Sequence, residues 1–386
     1  MIQNRQNSPL DYMLGSGAYG AVRIHGKTAI KKFQKLSHVI QEYMAGYYLA
    51  RTHNVLHFRG VDLRSLEITM DLHETTLRKW MESGSYDKSE SQKRFVLCDI
   101  LKGLVEIHQR GLVHGDIKPG NILITGRSKR KADVSGSGTL EDSEADKPKY
   151  KAVIGDLGFV SLAKYSKVRR TAAAYRDIKP KEDPAHDMLS LGVVMVELFG
   201  NCRANGQMGY GELKNFANRN LRNNDEMRKI CLRLFKKKHR KRPSSDQILK
   251  EIFGMTIEDA LRGDSLSIST LPDISSGLGK EESDEVEKYM QEYGSKHTIN
   301  RIYRGFAAVK AFIAIKEIDK KKFKFTCCCM LMILSSLFGK SGFDERRISQ
   351  YCSGYSHHDI TRTIMSMIDC REVLLLIMLP TSAKAK

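Results

Sequence analysis

The chain has 386 residues, 41% of them hydrophobic and 28% charged, a balance that fits globular folding and excludes collagen-like and wholly disordered classes. Its length suggests two domains, and its net charge of +19 implies attraction to acidic partners, with a well-solvated basic surface as the plainer reading. No apolar run of secretory type opens the chain, and the longest apolar stretch, Phe325 to Phe338, is shorter than the roughly 20 residues a spanning helix needs, so neither a secretory signal nor a membrane span is expected.

Residues 10 to 33 read as short strands around a glycine-rich turn, 38 to 52 as a helix, and 54 to 72 as further strands. From Ser91 to Leu112, apolar Val96, Ile100, Leu101, Leu104 and Ile107 recur at the spacing of an amphipathic helix. Between Gly126 and Lys149 the composition turns polar and charged with little to bury, so 126–149 reads as a disordered, solvated insert. A Ser/Gly-rich linker follows at 263–283. Beyond it, 284–380 reads as helical. Ile299, Ile302, Phe306, Val309 and Ile313 mark one helix face, Thr326 to Phe338 is nearly all apolar, and Ser356 to Asp359 forms a capping box before Ile360, Ile364 and Met367. The expected architecture is α+β: a small β-rich lobe with one helix, a large helical lobe ending near 255, and a small all-α bundle. The eight cysteines, three of them consecutive at Cys327 to Cys329, lack paired metal spacing. They read as free thiols in a reducing cytoplasmic or nuclear compartment.

Three segments carry chemistry. Gly15-Ser16-Gly17-Ala18-Tyr19-Gly20 is a glycine-rich turn whose backbone N–H groups can approach phosphate oxygens. Alone that pattern is weak, since dinucleotide folds share it. Here it precedes Val22 and a strand, Thr28-Ala29-Ile30-Lys31, that ends in lysine, where a dinucleotide fold would want a long helix. The second segment, His114-Gly-Asp116-Ile-Lys118-Pro-Gly-Asn121, and the third, Gly155-Asp156-Leu157-Gly158, resemble the catalytic loop and the D-F-G metal-binding motif of eukaryotic-type serine/threonine protein kinases. Asp187 to Gly192 and Arg242-Pro resemble later motifs of that family, and the resemblance spans residues 10–255, the expected catalytic domain.

What the resemblance implies is a bilobal fold that transfers the γ-phosphoryl group of ATP, with Mg²⁺, to Ser/Thr hydroxyls on protein substrates. Lys31 would hold the α/β-phosphates, oriented by Glu42. Asp116 would be the base, Lys118 would lie near the γ-phosphate, and Asn121 and Asp156 would hold the metal. Leu14, Gly15, Ser16, Gly17, Ala18, Tyr19, Gly20, Val22, Ala29, Lys31, Met70, Leu72 and Leu123 would line the nucleotide site. Two departures matter. Gly115 replaces the arginine that normally meets a phosphorylated activation loop. The A-P-E signature is missing, leaving Arg242 without its expected glutamate and Glu182 as a weak substitute.

The C-terminal block is similar to a cyclin box over Ala308–Ile313, Cys329–Ser336, Phe343–Ser353 and Ile360–Ile368. It lacks the lysine and acidic pair expected after its third helix. That resemblance implies a cyclin-dependent-kinase-like chain carrying its own activator. Two other readings stay open: a pseudokinase or scaffold that binds nucleotide without turnover, and a small-molecule kinase of the same fold.

Overall fold

The computed structural model describes residues 13–17, 20–49, 52–62, 65–127, 147–162, 173–177, 183–261, 325–326, 329–330, 332–333 and 354–368. The expected insert at 128–146, the linker and most of the expected helical bundle lie outside them. The chain divides into two compact units, one made of Met1–Ala50, His57–Leu72 and Ser265–Lys386, the other of Arg51–Leu56 and His73–Asp264.

The first unit holds a five-stranded antiparallel sheet: β1 (Met13–Gly17), β2 (Gly20–His25), β3 (Thr28–Phe33), β4 (Phe58–Asp62) and β5 (Glu67–Asp71), ordered β1-β2-β3-β5-β4. Helix α1 (Leu36–Tyr48) follows β3 and buries Val39, Tyr43, Met44 and Ala45, with Tyr43 stacked on Phe58 of β4 at 6.5 Å. Register sets which side chains share a face. Val22 pairs with Lys31 and Ala29 with Met70. Cross-strand partners and i, i+2 neighbours project to the same side, so these four line one surface of the sheet.

The second unit is mostly helical. It begins with β6 (Thr75–Thr76), α2 (Leu77–Glu82) and α3 (Glu90–Gln109). The five apolar positions that predict α3 are all fully buried. Its polar members staple neighbouring loops: the Glu106 carboxylate accepts from the His53 and Asn54 amides, and Asp99 accepts from the Ala152 amide. The helix stops at Gln109 rather than continuing to Leu112. Gly111 adopts φ +71°, a left-handed conformation that ends helices, and Leu112 enters a strand instead.

Strand β7 (Leu112–Val113) pairs with β10 (Ser161–Leu162), and β8 (Ile122–Gly126) with β9 (Tyr150–Ile154). Arg127 N–H donates to the Lys149 carbonyl at 2.7 Å, closing the outer end of the β8–β9 hairpin. Then come α4 (Pro184–Gly200), α5 (Tyr210–Asn220), α6 (Asp225–Leu234), α7 (Ser245–Phe253) and α8 (Ile257–Ala260). Helix α4 is buried from His186 to Phe199, which makes it a core helix.

The last described helix, α9 (His357–Ile368), belongs to the first unit. Ser356 caps it, its Oγ accepting from the Asp359 amide at 3.1 Å, and Ile364, Met367 and Ile368 are buried. Among the described residues, Cys98, Cys202, Cys231 and Cys329 carry free thiols, and no helix is long and apolar enough to cross a membrane.

Candidate active site

Each unit carries part of the predicted site. In the first, Lys31 Nζ donates to both carboxylate oxygens of Glu42, at 2.8 and 2.7 Å. Strand β3 supplies the lysine and α1 the glutamate, and both side chains are buried. Removing one partner of such a pair typically costs about 3–5 kcal/mol, because the survivor is left uncompensated. Val22, Ala29 and Met70 lie on the face of the sheet that Lys31 shares. Leu14 is exposed and Leu72 half-buried.

The glycines of the turn divide their work. Around Gly15 nothing among the described residues lies within 4 Å of where a Cβ would stand, which leaves room for a ligand beside its backbone. At Gly20 a Cβ would fall 2.0 Å from the Lys32 carbonyl oxygen, so glycine there is demanded by close strand packing. Ser16 and Gly17 end β1, while Ala18 and Tyr19 lie outside the described residues.

In the second unit, the root of the β8–β9 hairpin organises the other residues. Ile122 pairs with Ile154, so Asn121 just before β8 and Asp156 just after β9 emerge at the same end. The Gly155 amide donates to the Asn121 carbonyl at 2.7 Å and fixes that end. Leu123 follows on β8 and is half-buried. Asp156 itself adopts φ +55°, ψ 68°, a left-handed conformation that costs energy in most side-chain-bearing residues and clusters at functional positions.

Asp116 is almost fully buried. Lys118 Nζ donates to its Oδ2 at 2.5 Å and Asn121 Nδ2 donates to the same oxygen at 2.8 Å. Among the described residues, the buried Oδ1 accepts no hydrogen bond. Burial raises the Asp116 carboxyl above the usual aspartate value, opposed by the charges of Lys118 and His114 and the hydrogen bonds from Lys118 and Asn121. His114 is buried, its Nε2 within 3.0 Å of the Gly155 carbonyl, while its Nδ1 lies 3.2 Å from the Asp116 amide that donates to it.

Asp187, from the first turn of α4, clamps this loop from below. Its carboxylate accepts from the His114 amide at 2.7 Å and the Gly115 amide at 2.8 Å, and it meets His108 Nε2 at 3.0 Å. Burial would raise its pKa, but the hydrogen bond from His108 and the charges of His108, His114 and His186 hold it below the usual value. The sequence marks Asp187 as part of a motif without indicating that it grips backbone amides two motifs away.

The expected weakness at Arg242 is corrected. Its guanidinium lies 2.7 Å from Asp177 Oδ2, both side chains fully buried, and Tyr210 donates to Asp177 Oδ1 at 2.5 Å. Asp177 therefore supplies the carboxylate expected from the missing A-P-E glutamate, while Glu182 lies outside the described residues. At Gly115, φ is +80° and a Cβ would stand 3.2 Å from the Phe159 carbonyl oxygen, so the loop is shaped around a residue without a side chain.

A buried carboxylate with one bare oxygen, a lysine on its other oxygen, and an amide and a second carboxylate at one hairpin root make a set suited to phosphoryl transfer. The chain belongs to the protein kinase family: the protein kinase domain matches residues 11–253. It is similar to mitogen-activated protein kinase 13 of Mus musculus, 35% identical over 131 residues, 29% of this chain and 35% of that one. It is also similar to eIF-2-alpha kinase GCN2 of Arabidopsis thaliana, 28% identical over 228 residues, 55% of this chain and 18% of that one. Serine/threonine-protein kinase pakG of Dictyostelium discoideum is 33% identical over 145 residues, 35% of this chain and 12% of that one. The chain thus spans between 12 and 35% of the length of these relatives.

Proposed function

We propose that the chain is a serine/threonine protein kinase that uses MgATP. The observation that carries this reading is Asp116, whose Oδ2 is occupied by Lys118 and Asn121 while Oδ1 stays buried and bare. A substrate hydroxyl that donates to Oδ1 has its oxygen oriented for attack on the γ-phosphorus. The new P–O bond forms as the bond to the β–γ bridging oxygen breaks, ADP leaves, and the hydroxyl proton passes to Oδ1. Lys118, two residues after the base, supports a Ser/Thr rather than a Tyr acceptor. Released from Asp116, it can follow the γ-phosphoryl charge.

The metal donors fit a hard cation. Asn121 spends its Nδ2 on Asp116, which leaves Oδ1 as an oxygen ligand, and Asp156 adds a carboxylate. Magnesium accepts one or two protein oxygens together with substrate phosphates, and when bound it neutralises charge on the phosphates. Lys31, positioned by Glu42, would bind the α/β-phosphates. Leu14, Val22, Ala29, Met70, Leu72 and Leu123 would enclose the adenine.

A reading without turnover drew support from Gly115 and from the missing A-P-E. The Asp177–Arg242 pair supports turnover over that reading, because it gives Arg242 a buried carboxylate. We further propose that the cyclin-like C-terminal region activates the kinase in cis by holding α1 and Glu42 inward. The buried Lys31–Glu42 pair, in a chain where Gly115 replaces the arginine that would meet a phosphorylated loop, supports this. Deleting 270–386 is then expected to lower activity strongly; unchanged activity would remove the activation proposal.

The test of the main reading is transfer of label from γ-labelled ATP to a panel of proteins, with free metabolites in parallel. Transfer to Ser/Thr of proteins, lost in Asp116→Asn and Asp156→Ala, is the expected result. Label on metabolites alone, or none anywhere, would overturn it.

A further inference from the structure

The run Lys236-Lys-Lys-His-Arg-Lys-Arg242 splits into two sets of side chains. Lys236, Lys237, Lys238, Arg240 and Lys241 are exposed, whereas His239 and Arg242 are buried. The inward pair anchors the run. His239 meets Asp177 at 3.0 Å and Asp183 at 3.3 Å, and Arg242 meets Asp177 at 2.7 Å. Arg242 also donates to the carbonyls of Ala185 and Lys236, both at 2.8 Å. A 3-10 turn over His239–Lys241 holds the outward residues in place. Among the described residues, none of the five exposed cations forms an ion pair. Five like charges on one short connection repel one another.

The anchor gives the patch its meaning. Asp183 is the N-cap of α4, the helix whose Asp187 holds the His114 and Gly115 amides beside Asp116, so the patch is tied through packed elements to the loop that carries Asp116. We infer that these five cations form a docking surface for protein substrates that carry an acidic segment near the phosphoacceptor. The inference deepens the protein kinase reading and rests on it. Exposed charges of this kind act on encounter and on discrimination between partners more than on the chemical step. An acidic segment is favoured over nucleic acid because the surface is tied, through His239 and the start of α4, to the loop that carries Asp116, the proposed base for a protein hydroxyl.

The test uses the full chain and two labelled peptides that share a central serine, one flanked by about six Asp/Glu and its twin by Gln. Binding is read by fluorescence anisotropy at low salt, which needs no turnover, and kcat/KM for the same peptides is measured beside it. The unaltered chain is expected to prefer the acidic peptide by about tenfold or more. In a variant carrying Lys237→Gln, Lys238→Gln, Arg240→Gln and Lys241→Gln that preference should fall below about twofold, and the matching Lys→Arg variant should keep it. Equal binding of the two peptides to the unaltered chain, or a preference that survives the Gln variant, overturns the inference. So does duplex DNA that binds as tightly as the acidic peptide and weakens in the same variant. A failure of phosphate transfer to every substrate would sink the protein kinase reading, while the anisotropy ratio would still judge the docking surface.

Discussion

Asp177 illustrates how far a single side chain can shift the functional reading. With Arg242 it forms a fully buried ion pair, so Asp177→Ala should leave a buried guanidinium uncompensated and cost about 3–5 kcal/mol, read as a fall in Tm. A Tm within a degree of the unaltered protein would contradict that pairing. Asp116 makes a prediction of opposite flavour. Its carboxyl must be ionised to accept a proton, and burial raises its pKa, so kcat should begin to fall, as pH drops, at a higher pH than an ordinary aspartate would give. Lys118 opposes that rise. Lys118→Met should therefore move the acid limb of the kcat–pH profile further upward, in addition to lowering kcat; a limb that stays put or moves down would count against Asp116 as the base.

At the scale of elements, the β8–β9 hairpin and α4 hold the candidate residues of the second unit, and the sequence discloses the two unequally. Asn121 and Asp156 are legible because each sits in a short motif beside a short apolar run, Ile122–Ile124 and Ala152–Ile154. The grip of Asp187 on the loop before Asp116 is a contact between backbone amides and a carboxylate more than seventy positions away. No local pattern encodes such a contact. The Asp177–Arg242 pair is hidden for the same reason, and its signal in the sequence was only a buried-type arginine left without a carboxylate at the usual offset. The end of α3 was readable in principle, since Arg110-Gly111 is a helix stop, but the apolar Leu112 resembles one more turn of the pattern. Asp187→Ala should strand the His114 and Gly115 amides and cost about 2–5 kcal/mol, and activity should fall more than stability because the loop carrying Asp116 loses its support. Linkage adds a pH signature. The Asp187 carboxyl sits below its usual pKa, so its stabilisation is complete above the ordinary aspartate range and disappears as pH falls through the lowered value. Tm measured from pH 7 downward should drop less steeply in Asp187→Asn than in the unaltered chain.

For the whole molecule, the net charge of +19 sets the terms of every encounter. Screening shortens the reach of exposed charges to about 8 Å at physiological salt, so KM for acidic substrates should rise with ionic strength while the KM for a neutral peptide changes little. Equal salt dependence for both would mean that the charge is spread over the surface without a preferred landing place. The β8–β9 hairpin has a last consequence. Its root carries Asn121 and Asp156, and its far end, beyond strands of five residues each, is latched by the Arg127–Lys149 bond. Strands of that length put roughly 17 Å between the two ends. Lengthening a chain between latched ends is cheap, about 0.6 kcal/mol for each doubling. The span between Arg127 and Lys149 is therefore a natural socket for a fluorescent reporter domain, one that would ride on the enzyme and leave its chemistry undisturbed.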